Sequence, residues 1–265
     1  MAVLPKNQGV RRGFTLVEML VVVVIIGILA SLITAAAMQA KRRARIAVIT
    51  LEIAQLDLAC KAFKERFGEY PPDGLDAAVT TRFVKKAFPP FTGSAPAEAL
   101  AVTPVTALAY WLGTAFSADP TNPFGGATTS KIGPFFDFDT SRIKSGTYWP
   151  PGVTIDEGTT KAGYVYFRAE NGGYTRLDGS DKTWTFTTTT TPSKTIGGVA
   201  MKDGRITPTP PWMNPNSFQI RACGMDGKWA TSPWAILFGV GTNYKAEDYD
   251  DITNFSNGTL EDSLP

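Results

Sequence analysis

The sequence predicts an α+β protein in which a long N-terminal hydrophobic helix packs its distal half on an antiparallel β-sheet head. Three observations predict it. Residues 19–40 are 22 positions without a charge. An apolar stripe at helical spacing follows, from Ile46 to Phe67. Beyond it, short alternating segments are bounded by Gly, Pro and Asn-Gly turns.

The uncharged run is long enough to cross a bilayer as a helix at about 1.5 Å per residue. Basic residues flank it on both sides, Lys6, Arg11 and Arg12 before and Lys41, Arg42, Arg43 and Arg45 after, so charge bias alone does not orient it. Three readings compete. A secretory signal peptide has small residues available at Ala35, Ala36 and Ala37, but needs an apolar run of only about 7–15 residues and no acid such as Glu18 within it. A plain signal anchor makes Glu18 a liability of about 2.5–3.5 kcal/mol by insertion scales, less near the helix end. Cleavage between Gly13 and Phe14 accounts for the acid. It places a new ammonium at Phe14, four residues ahead of Glu18, and each charge then supplies the other's counter-charge in a low-dielectric layer. The same pairing between two staggered helices fixes their register.

The string Gly13-Phe14-Thr15-Leu16-Val17-Glu18, followed by VVVVIIGILASL, resembles the cleavage and methylation motif of type IV pilins and type II secretion pseudopilins. The resemblance implies a pilin-like fold whose head is enlarged by a large insertion, removal of residues 1–13 by a prepilin peptidase, N-methylation of Phe14 and a requirement for Glu18 in assembly. It also implies other pilin-like subunits and an inner-membrane assembly platform as partners. The expected organisation is 1–13 as leader, 14–40 as transmembrane and polymerisation helix, 41–72 as its amphipathic continuation and 73–265 as a β-rich periplasmic head. The expected role is a structural subunit of a type II secretion pseudopilus in the bacterial inner membrane; a minor type IV pilin or tip adhesin is the alternative. Many members carry proline where Ala35 stands, so a proline break is not encoded there and Gly27 is the softest point.

Ile46, Ile49, Ile53, Leu56, Cys60, Phe63 and Phe67 recur at spacings alternating between three and four, one sustained helical stripe. Gly68 suits the left-handed position after a helix, and Pro71-Pro72 prevents resumption. A coiled coil also fits the stripe, but strand-like sequence downstream favours packing on a sheet. FGEYPPDG (67–74) resembles the end of the long helix in the major pseudopilin. Between 75 and 217 AYWLG (109–113) fits a short helix and GYVYFRAENGGYTRLDG (163–179) a hairpin about Asn171-Gly172. KTWTFTTTTTPSKT (182–195) reads as a strand entering a Thr-rich loop.

FQIRACGMDGKWA (218–230) reads as a buried strand entering the turn Asp226-Gly227, and EDYDDITNFSNG (247–258) lies further on. Together they resemble the calcium-binding C-terminus of the major pseudopilin. By that resemblance the side chains of Asp226 and Asp251 and the main-chain oxygen of Cys223 are ligands, with Asp248 and Asp250 as spares. Calcium takes six to eight hard oxygens, which an Asp-rich loop supplies; a solvated acidic loop with an ordinary Asp-Gly turn is the other reading. DFDTS (137–141) and DGSDK (178–182) lack EF-hand spacing and read as turns.

The chain of 265 residues carries a net charge of +2, too weak to point to nucleic acid. Residues 1–13 hold three bases and no acid and residues 14–67 seven bases and four acids, which leaves the distal part at −4. No histidine is present, which removes His metal sites, Ser-His-Asp triads and Cys-His dyads. A membrane-anchored acid-pair hydrolase stays conceivable, and Trp149, Trp184 and Trp212 are the aromatics an adhesin would use or a core would bury. Cys60 and Cys223 are either two small buried apolar residues or, in an oxidising compartment, a bridge.

Overall fold

The computed structural model describes residues 15–125, 130–153, 163–170, 174, 195–196, 199–200, 214, 216–224, 249–260 and 262. The chain divides into two units, 1–44 and 45–265. Helix α1 spans Leu16–Phe67, 52 residues, and is helical through both Gly27 and Ala35. In the first unit its large apolar side chains, from Leu16 to Ile33 and again at Met38, are exposed. An apolar surface of this extent requires lipid or neighbouring chains to cover it.

Within the second unit the predicted stripe is the spine of the core. Ile49, Ile53, Leu56, Cys60, Phe63 and Phe67 are buried, Ala59 joins them, and Ile46 packs at the margin. Gly68 ends the helix at φ +80°, its N–H donating to the Lys64 carbonyl at 2.7 Å. That left-handed geometry is cheap only for glycine.

Three short helices come next: α2 (Ala77–Ala87), α3 (Ala97–Leu100) and α4 (Ala107–Gly113). Asp76 caps α2 by accepting the Ala78 N–H at 2.8 Å. Helix α4 contains the predicted AYWLG segment, whereas α2 has no counterpart in the sequence reading, and the head is thus mixed rather than simply β-rich. Phe83 of α2 stacks on Phe63 at 5.6 Å between ring centroids, and Trp111 of α4 meets Phe63 edge-on at 6.3 Å.

Strands β1 (Phe116–Ser117) and β2 (Lys131–Ile132) pair with each other, as do β3 (Ile143–Lys144) and β4 (Thr147–Tyr148). Beyond them lie β5 (Val165–Arg168), β6 (Thr195–Ile196), β7 (Val199–Ala200), β8 (Phe218–Ala222) and β9 (Ile252–Thr253). Strands β6 and β7 form an antiparallel pair, and the principal sheet is antiparallel in the order β5-β8-β9. Its register sorts the side chains into two layers. Tyr166, Phe218, Ile220, Ala222 and Ile252 join the α1 stripe, while Val165 and Phe167 form a second cluster with Trp149, Tyr174 and Cys223. Both faces are covered, which is why β8 is a run of buried residues rather than an alternation.

Three expectations fall on this part of the chain. Strand β5 pairs with β8; the Asn171-Gly172 turn, with it the far arm of the expected hairpin, and most of 182–195 lie outside the described residues. Cys60 and Cys223 are both buried and not joined by a disulfide, since they belong to different clusters. Trp149 is a core residue, 2% exposed, and offers no contact surface; Trp184 and Trp212 lie outside the described residues.

Phe63 is fully buried and touches five other aromatic rings. Phe63→Ala is expected to cost the head about 3–5 kcal/mol, read as a lower midpoint in urea unfolding of a fragment lacking residues 1–44.

Candidate assembly site

The first turn of α1 is closed by two side chains. The Glu18 N–H donates to Thr15 Oγ1 at 3.2 Å, and Glu18 Oε2 accepts both the Thr15 N–H and the Thr15 hydroxyl at 2.8 Å. This is a reciprocal capping box, and its Thr-x-x-Glu spacing is legible in the sequence, although sequence reasoning gave Glu18 an ammonium partner only. The donors are neutral, so they orient the carboxylate without cancelling its charge. From Met19 onward nothing on the helix can cancel it until Lys41, because all residues between are uncharged. Gly13 and Phe14, and with them the bond expected to be cut, lie outside the described residues.

Beyond the apolar run, Lys41, Arg42 and Arg43 are exposed, and none forms an ion pair with a described residue. Arg45 is half-buried beside Gly152, where a β-carbon would come within 2.9 Å of its Nε.

In the second unit the distal part of α1 is fastened by charge as well as by packing. Glu52 accepts from Arg142 Nη1 at 2.8 Å and Nη2 at 2.5 Å, from the Tyr148 hydroxyl at 2.7 Å and from the Tyr164 hydroxyl at 2.5 Å. Burial, and then the Glu52 charge, push both phenols well above their ordinary value, so they stay protonated donors. At the helix end Glu69 accepts from Lys86 at 2.6 Å and Arg168 at 2.5 Å. Burial alone would raise the Glu69 carboxyl; the two cations outweigh it and hold it below its usual range. Tyr166 donates to the Pro71 carbonyl at 2.8 Å, so β5 grips the chain where it leaves the helix. Nothing in the periodicity of α1 singles out Glu52, which sits beside the stripe next to Ile53.

The C-terminal segments meet as well. The Gly224 N–H donates to Asp251 Oδ1 at 3.2 Å, and a side chain at 224 would collide with Asp250. Arg221 Nε donates to Asp251 Oδ2 at 2.8 Å, and its Nη2 donates to the same oxygen. Both side chains are buried, 1% and 0% exposed. Where the resemblance implies calcium, Asp251 meets a guanidinium. A divalent cation at this carboxylate would be forced against that charge, so Asp251 does not fit a calcium ligand while Arg221 holds it. Asp226 and Asp248 lie outside the described residues. Among the described residues no group of three or more Cys, Asp or Glu is placed to hold a metal.

The hydrolase alternative needs two carboxylates converging in a dry pocket. Among the described residues, the half-buried carboxylates of Glu52 and Glu69 and the buried one of Asp251 are each answered by arginine, and buried Asp73 by the Arg168 and Leu75 backbone N–H groups at 3.1 and 3.2 Å.

Residues 10–34 match the family model for the prokaryotic N-terminal methylation motif. No curated protein and no solved structure matches the chain. The match supports a type IV pilin-like protein processed by prepilin peptidase, and such proteins are structural subunits rather than enzymes. It brackets Gly13, Phe14 and Glu18 and covers no residue of the second unit.

Removing one partner of the buried pair strands the other charge. Arg221→Gln is expected to cost about 3–5 kcal/mol. Calcium chelation is expected to leave the melting temperature of the wild-type head unchanged, checked by calorimetry with and without chelator; a chelator-dependent drop would return the metal to this site.

Proposed function

We propose that the chain is a pilin-like structural subunit of a type II secretion pseudopilus, cut between Gly13 and Phe14 by a prepilin peptidase, methylated on Phe14 and polymerised through α1. The observation that carries this joins a capped acid to an uncovered apolar helix. Glu18, held by neutral donors in the first helical turn, heads a run of exposed apolar side chains that no part of the described chain covers. Lipid covers that run before assembly, and the helices of neighbouring subunits cover it afterwards. The ammonium of Phe14 is then the charge that Glu18 lacks, within one helix or across two.

This reading puts the apolar N-terminal part of α1 in the inner membrane as a single span and the head in the periplasm, or outside the cell after assembly. Its partners are the prepilin peptidase, other pilin-like subunits and an inner-membrane assembly platform. It asks nothing of the head except a stable fold around the distal part of α1, which the Glu52 and Glu69 pairs favour. In this proposal Arg221 closes the C-terminal segments, and a calcium ion across Cys223, Asp226 and Asp251 would have to displace it.

Mass spectrometry of the membrane-extracted protein is expected to find a mature N-terminus at methylated Phe14; a start near Met38 identifies secretory cleavage and ends the proposal. Glu18→Ala is expected to insert normally yet abolish filaments in sheared fractions, and wild-type filament yield from that variant removes the role of the acid. Deletion of the gene is expected to stop exoprotein release while surface pili persist. The opposite outcome assigns the subunit to a type IV pilus.

A further inference from the structure

The head contains a cleft of about 570 Å³ between α3, the end of α4, the 134–138 segment and the β3–β4 turn. Its lining combines aromatic faces, Tyr110, Phe136 and Phe138, with two carboxylates, Glu98 and Asp137. Among the described residues no base lines it, and neither carboxylate is in an ion pair. Both acids are exposed, in open solvent rather than the dry setting that acid–base hydrolysis uses. Phe136 and Phe138 lie 4.6 Å apart and Phe138 is locked against Tyr148, so the floor is preformed. Glu98 lies close enough to Tyr110 that its charge, after burial, helps push that hydroxyl up to about 12.

Two carboxylates and aromatic faces lining one cleft suit a guanidinium or ammonium, which can gain an ion pair at one end and a π face along its stem. The same chain displays three such groups without partners among the described residues, Lys41, Arg42 and Arg43, immediately after the apolar run. On the exported side of a membrane this basic cluster runs against the usual bias of positive charge toward the cytoplasm, and it calls for an acidic surface on that side.

We propose that the Glu98–Asp137 cleft of one subunit receives the Lys41-Arg42-Arg43 segment of a second copy of this chain, setting the register between neighbours. The inference rests on the assembly reading above. Exposed charge pairs of this kind add specificity more than affinity, so their role is to select one stagger among the many that apolar helices alone permit.

Full-length chains carrying Glu98→Cys and Arg42→Cys test it when co-expressed, because Cys60 and Cys223 are buried and silent. Oxidation is expected to give a crosslinked species of twice the subunit mass from the mixture and from neither chain alone. Charge reversal by Glu98→Lys with Asp137→Lys is expected to lower filament yield about tenfold. Adding Arg42→Glu with Arg43→Glu should restore it, with the head's melting temperature unchanged throughout. Filaments at full yield without the crosslink overturn the docking and leave the assembly reading standing. Loss of wild-type filaments altogether removes both. If reversing the bases abolishes assembly while reversing the acids does nothing, the basic segment serves lipid headgroups and the proposal fails.

Discussion

The apolar stripe of α1 from Ile49 to Phe67 is the constraint on which the head depends, because it is the surface that both the aromatic layer of α2 and α4 and the β5-β8-β9 sheet bury against. A helix used this way cannot fray at its end without opening the core. The chain accordingly spends most of its described charge pairs there. Glu52 binds Arg142, Tyr148 and Tyr164, Glu69 binds Lys86 and Arg168, and Tyr166 holds the Pro71 carbonyl. None of these groups lies far from the stripe, and each ties the helix to an element distant in sequence.

Arginine is the common partner of Glu52, Glu69 and Asp251, and its chemistry explains why. A planar guanidinium satisfies two oxygens, or one oxygen twice, with little loss of side-chain freedom per bond, and it is more weakly hydrated than an ammonium. Breaking such a pair is costly even where forming it contributes little net stability, so these pairs act mainly by penalising alternative packings. The Arg221–Asp251 pair does this where the chain approaches its C-terminus, joining β8 to the segment that enters β9.

The helix was legible in detail. Spacings of three and four from Ile46 to Phe67 named the buried face, and Gly68 named the stop, because both signals are local and periodic. The short α4 was also readable in its Ala-Tyr-Trp-Leu-Gly run. The sheet was readable only by halves: FQIRA announced β8 and VYF announced β5, but their pairing is non-local and leaves no local signal in the sequence. Helix α2 escaped because its short amphipathic run, with Asp76 as its cap, carries two threonines and a single aromatic. Of the candidate site residues, Glu18 was recognised for its charge but not for its cap. Asp251 was recognised as an acid in search of a cation, yet its cation, Arg221, lies in the strand itself, and buried arginines in apolar runs announce nothing by composition.

The two thiols carry a consequence for how the head matures. Cys60 and Cys223 are fully buried in separate layers, and burial drives the Cys60 thiol well above its ordinary value, suppressing the reactive thiolate. A head built this way reaches its final form with no oxidative step. Its folding therefore makes no demand on the redox poise of its surroundings, nor on the enzymes that insert or reshuffle sulfur bridges.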